Sequence, residues 1–362
     1  MQIPYFRRSL LEWNALENTR QMPWKGEKDP YKVWLSEVIL QQTRVEQGLA
    51  YYQRFVEAFP RVTDLAAAPE DHIFKYWEGL GYYSRCKNLI HTAKFIAGER
   101  QGRFPDTHEE ILKLKGVGSY TAAAIASFAY GLPYAVVDGN VLRVLSRFFG
   151  VREPVDSSGG RALLEDLAAK CLDRENPGVY NQALMDFGAV VCKPLRPACG
   201  TCPLRAKCVA LKEDAVDLLP IKEKRLVRKG RYFIYLVAEY NGGVYVRKRT
   251  GKDIWQNLFE FIAHELKEEK EWNDYGALLG KTPYTVLGIS PLYRQVLTHQ
   301  EVKARFVKIR LEGPLHIPGF TRVNKEELGR LAFPRLLNDY LSAPSHALRL
   351  DGATGAMAEG QS

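Results

Sequence analysis

No apolar run in this chain approaches the roughly 20 residues that cross a bilayer, so a membrane-spanning protein is not expected. The opening segment, MQIPYFRRSLLEWNALENTR, is amphipathic and lacks an uninterrupted apolar core, which argues against a secretory signal there. Cysteine is scarce, with six residues. Without an export signal the expected compartment is reducing, where such thiols are free, catalytic or metal-bound rather than paired. No repeat of solenoid period is present. An acidic excess is absent too. The net charge is +9, a balance that fits a polyanionic partner. What is there is enough for folding: 46% hydrophobic residues exclude a disordered chain, and 362 residues suffice for two or three domains.

Residues 1 to about 215 read as helices joined by short turns. In DPYKVWLSEVIL, Asp29 suits an N-cap and Pro30 the first helical position, with Val33, Trp34 and Val38 at helical spacing. VLRVLSRFF repeats the pattern with Val141, Val144, Leu145 and Phe148. The texture then changes. IKEKRLVRKGR carries six basic residues between Lys222 and Arg231 and reads as an exposed linker over 216–230. YFIYLVAEYNGGVYVRKR holds two β-rich runs about Asn241-Gly242-Gly243, a hairpin signal, and EVKARFVKIRL is a further strand. The fold class expected is therefore a mainly helical domain followed by a smaller α+β domain over 231–343, with a disordered tail over 344–362.

Three constellations carry chemistry. In LKGVGSYTAAAIA, Gly116 and Gly118 make a tight turn that opens into a helix, and THEEILKL supplies a helix before it with Thr107 as its cap. Backbone N–H groups at such a helix start suit a phosphate, although glycine also simply ends helices. Cys192, Cys199, Cys202 and Cys208 are separated by six, two and five residues. Four thiols so spaced, with prolines and small residues between them, can hold zinc or an iron–sulfur cluster. Cys86 and Cys171 stand apart as ordinary buried residues. Finally, Glu37 lies on the apolar face of its helix, where desolvation raises a carboxyl pKa towards neutrality. Asp138, in AVVDGNVLRVL, sits where an N-cap belongs, or where an ionised carboxylate points into a cleft. One raised acid and one ionised carboxylate is an arrangement that glycosidic chemistry uses.

Together these features resemble the helix-hairpin-helix DNA glycosylases. SEVILQQTRV, GLGYYSR, VDGNV and NQALMDFGAVVC look like the adenine DNA glycosylases, the MutY family, within them. The resemblance runs to about residue 345. It implies a helix-hairpin-helix over 108–128 and one 4Fe–4S cluster, not zinc, in a loop over 192–208. It makes Glu37 the acid that protonates adenine at N7, and Asp138 the group that stabilises the cationic sugar, supported by Asn140 and Tyr120. Trp24, Lys25 and Gln182 would line the pocket for a flipped adenine. Gln42, Thr43, Leu80 and Tyr82 fall where the family probes the opposite base. Gly116, Gly118, Arg196, Arg205 and Lys207 would meet DNA phosphates. In the endonuclease III relatives a lysine occupies the place of Tyr120 and forms a Schiff base. Tyrosine cannot form an imine, so little or no lyase activity is implied.

The second half resembles the MutT-like, Nudix-fold domain that these enzymes use on 8-oxoguanine. No Nudix box is present, since HELKEEKEW lacks the Arg-Glu spacing, so recognition without pyrophosphate hydrolysis is implied. In VLTHQ, Thr298 and His299 match the lesion-reading loop, with Thr where many members have Ser. In MPWK, Lys25 replaces an arginine and loses its planar fork. The implied partner is double-stranded DNA with A opposite 8-oxoguanine or G, bound by a monomer in the bacterial cytoplasm at the nucleoid. The rival readings are an endonuclease III-like or thymine-mismatch glycosylase, a non-enzymatic lesion-binding iron–sulfur protein, and a nucleotide pyrophosphatase.

Overall fold

The structure, a computed structural model, describes residues 2–223, 227–268, 276–280 and 282–343. The tail 344–362, residues 224–226 of the basic stretch and residues 269–272 of HELKEEKEW lie outside the described residues. The chain divides into two units: Met1–Ala67 with Lys87–Arg225, and Ala68–Cys86 with Leu226–Ser362. Residues 68–86, placed by the sequence reading in the helical domain, thus belong with the second unit.

The helices are α1 (Gln2–Leu16), α2 (Pro30–Leu40), α3 (Val45–Ala58), α4 (Val62–Ala67), α5 (Glu70–Trp77), α6 (Tyr83–Glu99), α7 (His108–Leu112), α8 (Ser119–Tyr130), α9 (Gly139–Phe149), α10 (Ser158–Cys171), α11 (Pro177–Val190) and α12 (Val209–Lys212). Caps set several of these starts. Asp29 accepts from the Tyr31 N–H ahead of α2, Thr107 from Glu110 ahead of α7, and Ser157 from Gly160 ahead of α10. Each such cap is worth about 1 kcal/mol. The first unit's core joins α1, α9, α10 and α11 through Phe6, Leu10, Leu145, Phe148, Leu164 and Phe187. α2 is buried nearly all round, from Tyr31 to Ile39 with only Lys32 partly open. Such a helix sits inside its domain rather than on the surface.

The expected linker begins later than the sequence suggests. Leu219 is buried beside Ala210 and Ala215, with Val216 and Ile221 packed against them. The Ile221 carbonyl accepts from the Val155 N–H at 3.0 Å. Apolar residues in this stretch fold back because the helical unit offers them a surface. At its other end, Lys229 and Gly230 already belong to strand β1.

Among the described residues the second unit carries the strands β1 (Lys229–Tyr240), β2 (Gly243–Lys248), β3 (Phe259–Glu260), β4 (Ile262–Leu266), β5 (Tyr284–Ile289), β6 (Tyr293–Val296), β7 (Gln300–Leu311) and β8 (Thr321–Asn324). Helices α13 (Lys325–Arg330) and α14 (Arg335–Leu341) follow. β1 and β7 run parallel at the centre; β2 and β4 flank β1 antiparallel, and β5 and β6 flank β7. Phe233 to Ala238 are buried without alternation, as a central strand covered on both faces requires. The β1–β2 hairpin pairs Tyr240 with Gly243 across Asn241 and Gly242, both at positive φ, the turn that matches strand twist. Fully buried Glu260 is paired with Arg247 at 2.8 Å and with Arg249.

Candidate active site

Glu37 is 5% exposed on α2, which packs against α8, the helix that opens with the expected tyrosine. Burial pushes its carboxyl up to about 7; the charge of Asp138 adds to the rise, and a hydrogen bond from Tyr120 opposes it. Asp138 is the N-cap of α9. Its Oδ1 accepts from the Val141 N–H at 2.7 Å, capping α9, while Oδ2 accepts from Asn140 Nδ2 at 2.7 Å. Burial raises the Asp138 pKa, and those donors with the Arg143 charge hold it back. One hydrogen bond opposes the desolvation of Glu37 and several oppose that of Asp138, so Glu37 is the group held near neutrality.

Two arginines on α9, not singled out from the sequence, fasten this centre to the cysteine loop. Arg143 donates to Asn140 Oδ1 at 2.9 Å, to the Gly188 carbonyl at 2.7 Å and to the Cys192 carbonyl at 2.8 Å. Arg147 donates to the carbonyls of Lys193, Pro194 and Leu219. Their sequence signal was an i, i+4 arginine pair within the apolar run VLRVLSRFF. Gly188 lets α11 come close, since a Cβ there would lie 2.6 Å from that of Asn140.

The glycine turn joins α7 to α8. Gly116 has φ +81°, and a Cβ on it would stand 2.7 Å from the Asn88 Cβ, so only glycine fits. Gly118 caps α8 with open space at its Cα, and no side-chain cap takes up the first-turn N–H groups.

Trp24, Lys25 and Gln182 lie in the same unit. Trp24 meets Tyr52 edge-on at 5.3 Å between ring centroids. Lys25 and Gln182 converge on a residue the sequence reading passed over, the fully buried Asp186. Its position four after Gln182 in NQALMDFGAVVC was the available signal. Gln42 is exposed at φ +55°, an uncommon backbone for a non-glycine residue, and Thr43 Oγ1 donates to the Gln41 carbonyl at 3.4 Å.

Cys192, Cys199, Cys202 and Cys208 line one cavity together with Arg147, Val191, Pro197 and Leu211. Among the described residues no three such side chains close on a single metal ion. Four thiols around one cavity are a ligand set that a metal or an iron–sulfur cluster takes. Burial pushes the Cys202 thiol up to about 12, with the neighbouring cysteines adding to the rise; a positive centre between them would reverse this. Arg196, Arg205 and Lys207 are exposed on the loop. Arg205 donates to the Gly200 carbonyl, and the Lys207 ammonium lies 4.8 Å from the Tyr5 ring centroid.

The remaining expected residues belong to the second unit. Tyr82 is 42% exposed at φ +48°, and its hydroxyl is hydrogen-bonded to Thr298 Oγ1. Thr298 and His299 form the bend between β6 and β7, with His299 exposed. Leu80 is buried.

Against this geometry, the comparisons are specific. Residues 35–169 match the HhH-GPD superfamily of base excision DNA repair proteins, and residues 233–343 match the NUDIX domain. The chain is 36% identical over 273 residues to the adenine DNA glycosylase of Buchnera aphidicola subsp. Schizaphis graminum, covering 75% of this chain and 79% of that one. It is 42% identical over 214 residues to the adenine DNA glycosylase of Rattus norvegicus, covering 57% of this chain and 41% of that one. Among solved structures it is similar to a thermostable thymine-DNA glycosylase, with a TM-score of 0.55 at 28% identity over 59% of this chain and 97% of the other. An endonuclease III–DNA complex shares the fold at a TM-score of 0.51 and 24% identity, over 59% of this chain and 98% of that one. The buried Glu37 beside Asp138, the glycine hairpin and these matches lead to one conclusion: the chain belongs to the adenine DNA glycosylase family, base-excision repair enzymes that act on the N-glycosyl bond.

Proposed function

We propose that this glycosylase removes adenine paired with 8-oxoguanine, and less readily adenine paired with G, leaving an abasic site without cutting the strand. The observation that carries the reading is the buried Glu37, held near pH 7 and hydrogen-bonded by Tyr120, beside Asp138. Glu37 donates its proton to adenine N7. The bond between sugar C1′ and N9 then breaks, and its electron pair leaves with the base. Asp138, oriented by Asn140 and the Val141 N–H, faces the positive charge that develops on the sugar before water adds. Trp24, Lys25 and Gln182 hold the flipped base, which must leave the stack to expose its glycosidic bond.

In this reading the Gly116–Gly118 turn and Arg196, Arg205 and Lys207 meet phosphates. Gln42, Thr43, Leu80 and Tyr82 probe the opposite strand, and Thr298 and His299 read 8-oxoguanine. The strained backbones of Gln42 and Tyr82 support such a role, because strain of this kind collects at functional positions. Cys192, Cys199, Cys202 and Cys208 would hold one 4Fe–4S cluster. Bound there, the cluster supplies a structural tie for the loop rather than hydrolytic chemistry. The enzyme acts as a monomer in the bacterial cytoplasm.

A single-turnover assay on duplexes with one adenine opposite 8-oxoguanine, G or T tests this, read with and without alkali. Cleavage only after alkali, fastest opposite 8-oxoguanine, is the expected result. Strand breaks without alkali would sink the monofunctional reading, and equal rates opposite all three bases would sink the lesion specificity.

A further inference from the structure

Asp186 accepts four side-chain hydrogen bonds, and nothing in the mechanism above uses it. Its side chain is fully buried on α11. Oδ1 accepts from Arg20 Nη1 at 2.8 Å and from Gln182 Nε2 at 3.0 Å. Oδ2 accepts from Asn18 Nδ2 at 3.0 Å and from Lys25 Nζ at 3.1 Å. Two cations and two amides therefore share one acceptor.

The consequence falls on Gln182. A side-chain amide has a donor end and an acceptor end that differ little in shape. Left alone, it can turn either end towards a ligand. A carboxylate carrying an arginine and a lysine accepts at both oxygens and has no proton to give. The Nε2 end of Gln182 must therefore face Asp186, one turn along the same helix. Its Oε1 is turned away and stands as an acceptor only.

We infer that Asp186 is a positioning residue for base choice: by fixing the Gln182 amide, it makes the site accept a purine with a 6-amino group and reject one with a 6-keto group. A 6-amino group donates to Oε1. A 6-keto oxygen would face it lone pair to lone pair, leaving both acceptors unsatisfied in a desolvated pocket. This inference rests on the proposal that Gln182 lines the adenine pocket.

The test compares single-turnover release of adenine and of hypoxanthine, each opposite 8-oxoguanine, in the full chain. The ratio of the two rates is the readout, because a purely structural defect lowers both rates alike. Gln182→Leu should reduce the adenine preference; an unchanged ratio there would overturn the placement of Gln182 itself. Asp186→Asn supplies a donor that Gln182 Oε1 can accept from, so its amide is free to turn. The adenine preference should fall roughly tenfold or more, the scale of a hydrogen bond left unmade in a buried site. It should fall no further when Asp186→Asn is added to Gln182→Leu. A collapsed ratio in Gln182→Leu with an intact one in Asp186→Asn would overturn the role of Asp186 alone. Should Asp186→Asn not fold, the wild type decides. Its Gln182 side-chain amide protons, assigned by their loss in Gln182→Leu, should include one downfield proton protected from exchange. Two freely exchanging protons would overturn the proposal.

Discussion

The Tyr120 hydroxyl donates a hydrogen bond to the Glu37 carboxyl, tying the residue that follows the glycine turn to the buried acid of α2. The bond opposes the desolvation of Glu37 and leaves its pKa at about 7. Adenine release should then fall as pH rises through about 7, because the protonated acid is the donor. Glu37→Gln should lose roughly 10²- to 10⁴-fold in rate. Its stability should move the other way. A carboxyl raised on folding from 4.5 contributes stability that is full below pH 4.5 and lost as pH rises through about 7. Thermal unfolding of Glu37→Gln and wild type should therefore diverge with pH. The variant should gain roughly 3 kcal/mol relative to wild type between acid and alkaline conditions, at about 1.4 kcal/mol per pKa unit.

Tyr120→Phe removes a partner that lowers the Glu37 pKa. The alkaline limb of its pH–rate profile should move upward from that of wild type. A limb that stays in place would mean that the two groups do not interact during the reaction. In neither protein should borohydride trap a covalent DNA complex, since no amine stands in this place.

The cysteine cavity makes a compositional prediction. Anaerobically purified protein should carry about four irons and four sulfides per chain. Cys199→Ser or Cys202→Ser should lose them and melt at lower temperature. Arg147 ties the Lys193 and Pro194 carbonyls to α9, so Arg147→Gln should loosen the loop and release iron faster to a chelator.

Gly116→Ala places a methyl 2.7 Å from the Asn88 Cβ on a left-handed backbone. A cost of about 1–3 kcal/mol in stability is expected. Affinity for undamaged duplex should also fall, because the turn that aims the α8 amides is displaced. Equal stability and affinity to wild type would show that the turn carries neither function.

Tyr82 and Thr298 share a hydrogen bond within the second unit. Tyr82→Phe and Thr298→Val should each reduce the preference for 8-oxoguanine over G opposite the adenine. Their effects should be strongly non-additive in the double variant, as for any pair that loses one shared contact. Additive losses would separate the two residues into independent roles.

Much of the site was legible in the sequence because it is written at short range. Caps at Asp29, Thr107 and Asp138, the turn at Gly116–Gly118, the β1–β2 hairpin and the cysteine spacing each depend on residues a few positions apart. Glu37 was suspect for the same reason, a carboxyl three and four residues from Trp34 and Val33. What remained hidden depends on partners far along the chain. Besides Gln182, Asp186 draws its donors from Asn18, Arg20 and Lys25, more than 160 positions away. Arg143 and Arg147 find carbonyls 45 to 72 positions on. Residues 68–86 belong to the sheet unit because the Leu331 carbonyl takes a hydrogen bond from Lys75, and Glu78 takes one from the Phe333 N–H. Local spacing fixes which backbone a segment adopts; only closure of distant segments decides which buried charge meets which donor.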